Sequence, residues 1–157
     1  MAHKLEIYGN VVVGRWIGQP QSGEPQAMFD AVRDAFARTK KPVIYIAIHD
    51  TDSLEPNTAV QQEAMAGWDV GMRNASVAYF VLASSSLVAP IQRSFYQAML
   101  FIAKKRGTRG TEKMHWASSI EEVIQRESLR LPMSPDAFRA QLRRDGLIPA
   151  EVSGAHR

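Results

Sequence analysis

Cysteine is absent from the 157 residues. That removes disulfides, zinc–thiolate centres, iron–sulfur clusters and thiol nucleophiles, and it suits a reducing compartment. No apolar run approaches the roughly 18 residues that a membrane span needs. Neither standard Gly-rich phosphate loop occurs, and no Gly-x-Ser-x-Gly elbow presents a strained serine. Met1-Ala2-His3-Lys4 leads directly into strand-like sequence, with no basic-then-apolar leader. These absences predict a cytoplasmic protein with no membrane span, no metal and no cofactor.

Charge of one sign is also scarce: the formal net charge is +3, with 22% charged and 45% hydrophobic residues. The basic excess lies beyond Met99, from Lys104 to Arg144. Without an aromatic stacking motif beside it, this excess reads as solvated helix surface and as cations at helix C-termini. A nucleic-acid partner is not expected. The length suits one domain, burying roughly 70% of its unfolded surface.

What is present alternates between two periods. Leu5 to Tyr8 and Val11 to Ile17 are strand-like and flank Gly9-Asn10, the signature of a two-residue hairpin. Pro25 opens a helix whose stripe is Met28, Val32, Ala35 and Phe36, closed by Lys40-Lys41-Pro42. Val43 to Ile48 is a continuous apolar run, a strand covered on both faces. A second helix runs from Pro56 to about Asn74, a strand over Val77 to Leu82, and a long helix over Leu87 to Arg106, ended by Gly107. Lys113 to Ala117 is a short strand. Ser118 or Ser119 caps the next helix with Glu121-Glu122 in its first turn. Pro132 to Pro135 breaks the chain before a last helix bearing Phe138 and Leu142. The predicted fold is α/β: a mostly parallel sheet in the order β-β-α-β-α-β-α-β-α with an added C-terminal helix. The expected organisation is a domain over 1–131, a helical extension over 132–147 and a flexible tail over 148–157.

This order of elements resembles the STAS domain of anti-sigma-factor antagonists and related small STAS-like or CRAL/TRIO-like bacterial proteins. The resemblance spans about Lys4 to Leu131 and rests on topology more than motif. It implies a non-catalytic, protein-binding regulatory module. STAS domains carry a phosphorylatable serine in an Asp-Ser-Ser-Gly stretch between the third strand and the second helix. The corresponding loop here runs from His49 to Thr58. Asp52-Ser53 matches the start of the motif, whereas Leu54 stands at the modified serine and Glu55 at the glycine. A surviving switch therefore falls to Ser53 or Thr58, with its phosphate at a helix N-terminus. Asp50, Asp52 and Glu55 would oppose that phosphate, and Asp52, Ser53 and Asn57 also serve ordinary turn and capping needs.

Ligands of open α/β sheets collect beyond the carboxyl ends of the parallel strands. The candidate partner or ligand edge is therefore His49, Asp50, Asp52, Ser53, Asn57, Thr58 and the turn Ser84, Ser85, Ser86. Three function classes are weighed. The first is a regulatory module binding a protein partner through that edge. The second is a small-molecule or lipid binder with a pocket between sheet and helices, lined by Trp68, Met72, Tyr79 and Phe95. The third is a serine hydrolase pairing Ser84 or Ser85 with His49; catalysis is not expected. Gly67 and Gly71, four apart on the second helix, read as permitting close packing against the sheet. The long helix carries more apolar surface than one stripe needs, at Tyr96, Met99, Leu100 and Phe101. Either the C-terminal helix or a second copy of the chain covers it, the latter as a homodimer.

Overall fold

Gly9 takes a left-handed φ of 54° and turns β1 (His3–Tyr8) back on β2 (Val11–Trp16). The two strands are antiparallel, with Tyr8 opposite Val11. Residues 3–50, 58–82, 94, 97, 101, 103–105, 107 and 109–150 are described by a computed structural model. The chain continues through α1 (Glu24–Thr39), β3 (Val43–His49), α2 (Thr58–Gly71) and β4 (Ala75–Leu82). A short 3-10 turn (Thr111–Lys113), β5 (Met114–Ala117), α3 (Ile120–Arg126) and α4 (Pro135–Arg144) follow. Ser94, Gln97, Phe101 and residues 103–105, on the segment between β4 and the 3-10 turn, are also helical. The expected α/β character and mostly parallel sheet are found. The five strands lie in the order β1-β2-β3-β4-β5, with β2 to β5 mutually parallel.

Local chemistry explains the element ends. Pro25 sits in the first turn of α1, and Lys40 closes that helix in a left-handed conformation, its N–H donating to the Phe36 carbonyl at 2.8 Å. Ser119 caps α3 by accepting from the Glu122 N–H at 3.1 Å, while the Glu122 carboxylate accepts from the Ser118 N–H at 2.7 Å. Ser134 caps α4 in the same way through the Ala137 N–H.

Each face of the sheet has its own core. On one, Val12, Trp16, Tyr45, Ala47 and Ala78 meet Met28, Phe29, Val32 and Ala35 of α1 and Trp68 and Met72 beside them. On the other, Val11, Val13, Ile44, Ile46, Ile48 and Val77 meet Val123 and Ile124 of α3 and Phe138 and Leu142 of α4. Every residue of β3 is buried, as its unbroken apolar run predicts.

The structure corrects two expectations. Gly67 and Gly71 admit a neighbouring helix rather than the sheet: a Cβ on Gly71 would stand 2.3 Å from Cγ of Phe29, and one on Gly67 2.5 Å from its Cε2. Phe29 of α1 fills the groove that the two glycines leave. Phe138 and Leu142 of the C-terminal helix are fully buried in the core on the sheet's second face, while most of the expected long helix over 87–106 lies outside the described residues. Finally, Leu147 and Ile148 are buried in that same core, so packed chain continues past the expected boundary at 147. An apolar sheet face cannot be left in water, and this segment is what shields it.

Candidate functional site

The described residues line a partly open cavity of about 150 Å³ between the sheet and helices α1 and α2, toward the carboxyl end of the parallel strands. Its floor is Trp16 of β2, Tyr45, Ala47 and His49 of β3, Phe80 of β4 and Met114 of β5. Val60, Gln61, Ala64, Met65 and Trp68 of α2 form one wall, and Pro20, Pro25 and Met28 another, with Ala103 also lining it. The floor follows from strand parity. Trp16 lies opposite His49 in the β2–β3 register, and Ala47 opposite Phe80 in the β3–β4 register. Ala47, small among branched neighbours, leaves the room.

The rings form an array across the sheet. His3 stacks on Trp16 with centroids 3.7 Å apart and planes at 14°. Trp16 and His49 lie at 6.2 Å and 9°, His49 and Phe80 at 6.3 Å and 25°, and Phe80 and Trp68 at 6.4 Å and 27°. Trp68 is held by its indole N–H, which donates to the Gly110 carbonyl at 3.1 Å. Gly110 has a left-handed φ of 84°, and a Cβ there would press on the Trp68 ring at 3.1 Å. The loop bearing Pro20 is tied to α2 by Glu63, whose carboxylate accepts from the Gly23 N–H at 3.0 Å and the Ser22 hydroxyl at 3.1 Å.

No Asp, Glu, Lys or Arg is among the described lining residues. The ionisable groups that do line the cavity are held neutral. Burial pushes His49 down to about 4, helped by nearby His3 and opposed by Asp50, and burial pushes the Tyr45 phenol up. His3, behind Trp16, is likewise pushed down to about 4 by burial. The arrangement can pack against an uncharged apolar guest.

Of the expected pocket residues, Trp68 lines the cavity, and Met72 is buried in the core beside it. Tyr79 is a correction. It faces the opposite side of the sheet, where its hydroxyl donates to the Glu127 carboxylate at 2.5 Å, because it is one residue out of phase with Phe80. Burial, followed by that hydrogen bond, pushes its phenol up to about 12. Glu127 is itself buried and accepts a two-pronged contact from Arg130 at 2.6 and 2.7 Å. Along the expected edge, His49 faces the cavity while Asp50 meets Arg15 in two 2.9 Å contacts. Thr58 is exposed in the first turn of α2. Asp52, Ser53, Asn57, Ser84, Ser85, Ser86, Phe95, Tyr96, Met99 and Leu100 lie outside the described residues. Phe101 is 66% exposed. Among the described residues no three of His, Cys, Asp or Glu gather as a metal site would require, and no helix is long and apolar enough to cross a membrane.

Several of the C-terminal cations are engaged on the surface: Arg139 bridges Glu121 and Asp136, and Lys113 donates to the Met72 carbonyl at 2.9 Å. Sequence reasoning missed Trp16, Tyr45, Phe80 and the methionines as lining. The parity of β2 and β3, with Ala47 small between larger residues, is the signal that points to them. The sequence matches no protein-family model and no curated protein sequence.

Proposed function

We propose that this protein is a non-catalytic, STAS-like binding module that holds a small, uncharged hydrophobic molecule between its sheet and its first two helices. One observation carries the reading: an apolar cavity of about 150 Å³ whose described lining residues include no Asp, Glu, Lys or Arg, at the end of the sheet where α/β proteins take ligands. A dry cavity of roughly this volume is large enough to bind benzene in other proteins. An antiparallel edge strand followed by parallel strands in sequence order supports the STAS-like assignment.

Trp16 and Trp68 both line the cavity, so intrinsic fluorescence reports occupancy directly. Titration with toluene is expected to give a saturable fluorescence change. It should also stabilise the fold by about 1.4 kcal/mol when the ligand is at ten times its Kd. A linear, non-saturating response with no stabilisation refutes the reading.

The exposed side chains of Val70 on α2 and of Phe101 favour a second reading, a surface for a protein partner or a second copy. Substituting Phe101→Glu lowers the oligomer mass in light scattering if a homodimer forms there; an unchanged mass in a folded variant removes Phe101 from any such interface.

A further inference from the structure

The cavity has a shape and a chemistry more specific than apolarity, and both bear on which molecule it takes. We infer that the ligand is a planar, single-ring aromatic, recognised by the ring-rich lining and by methionine sulfur. This inference rests on the binding reading above and narrows it.

The rings of Trp16, His49, Phe80 and Trp68 succeed one another at interplanar angles of 9°, 25° and 27°. All four also line the cavity, which is therefore bounded by aromatic rings on both the sheet and α2 rather than by an aliphatic wall. An aromatic guest gains offset-stacked or edge-to-face contacts with such rings that a saturated guest lacks. Met28, Met65 and Met114 also line the cavity. Thioethers adapt to a guest's outline and favour contact with the edge of an aromatic ring. The volume of about 150 Å³ matches one ring.

The same features count against a fatty acid. A carboxylate needs a cation or a cluster of donors, whereas among the described residues no lysine or arginine lines the cavity and His49 is neutral.

Three probes separate these possibilities: toluene, methylcyclohexane and octanoate, each titrated against the full-length chain by tryptophan fluorescence. Toluene and methylcyclohexane have the same number of carbons, and the saturated ring is the more hydrophobic. Apolar burial alone would therefore favour methylcyclohexane or leave the two equal. The expected result is that toluene binds at least about fivefold more tightly than methylcyclohexane, as contacts with several aligned rings imply, and that octanoate is weaker still. Ala64→Phe, which fills the cavity from α2, should abolish toluene binding. As a check that needs no variant, methyl-labelled methionine spectra should show ring-current shifts at Met28, Met65 and Met114 on adding toluene.

Equal or reversed affinities for the two rings would overturn the aromatic inference while leaving a hydrophobic binder in place. So would octanoate binding more tightly than toluene. Methionine shifts confined to other positions, or toluene affinity unchanged in Ala64→Phe, would place the site elsewhere and overturn it too. If neither ring binds, the binding function itself falls.

Discussion

Adding a single methyl group at Gly71 tests how the helices above the cavity are held together. Gly71 has helical backbone and needs no left-handed φ. Judged by local propensity alone, alanine there should stabilise α2 by up to about 1 kcal/mol. The structure reverses that expectation. A Cβ at Gly71 would stand 2.3 Å from Cγ, 2.4 Å from Cδ1 and 2.8 Å from Cβ of Phe29. These atoms lie next to the α1 backbone, so the side chain cannot swing clear, and Phe29 is only 5% exposed. Relief requires α1 and α2 to separate, an overpacking cost of about 1–3 kcal/mol. Gly71→Ala should therefore destabilise the protein by about 1–2 kcal/mol. Phe29→Ala alone should cost about 3–5 kcal/mol through the cavity it opens. In that background the clash is gone, and Gly71→Ala should become stabilising by up to about 1 kcal/mol. The four proteins of this double-mutant cycle are compared by urea unfolding, followed by far-ultraviolet circular dichroism at constant m-value. The decisive outcome is the change of sign. If Gly71→Ala stabilises the parent protein, or destabilises both backgrounds equally, the Phe29 contact is not what the glycine serves.

Two further outcomes follow from the buried histidines and from the C-terminal segment. His3 and His49 are both pushed down from 6.5 to about 4, so between those limits the unfolded chain binds more protons than the folded one. Stability is complete above about pH 6.5 and falls by up to about 1.4 kcal/mol per pH unit for each histidine as the pH drops toward 4. Urea midpoints between pH 7 and 5 should show that slope, and a His3→Gln, His49→Gln double variant that keeps it would refute the assignment. Phe138 is fully buried, so Phe138→Ala should cost about 3–5 kcal/mol. A chain ended at 131 should bind a hydrophobic dye or aggregate, and a stable, dye-silent fragment would show that α4 is dispensable.

The legible parts of the fold were those governed by neighbours in sequence. Gly9-Asn10 between two apolar strands marked the hairpin. The run Val43 to Ile48 marked a strand buried on both faces, and Ser119 and Ser134 marked the starts of α3 and α4. Of the site, Trp68 and His49 were legible because one lies on a helical stripe and the other at a strand exit. Tyr79 was misassigned because apolar character alone does not reveal which face a strand residue takes. A shift of one position sends it to the opposite core.

Sequence alone marked the hairpin, the buried third strand and the capped starts of α3 and α4, since caps, turns and hydrophobic periods act over about four residues or fewer. It also determined the absence of thiol chemistry. Tertiary structure alone decided that Phe29 fills the groove at Gly67 and Gly71, and that α4 shields the second face of the sheet. It likewise decided that rings from three strands and a helix align around one cavity. Those outcomes depend on contacts between distant residues, such as Tyr79 with Glu127, 48 positions apart, and Tyr8 with Asp145, 137 apart. No local pattern encodes them; they arise when the sheet's two apolar faces are each covered and buried polar groups such as the Tyr79 hydroxyl find partners in three dimensions.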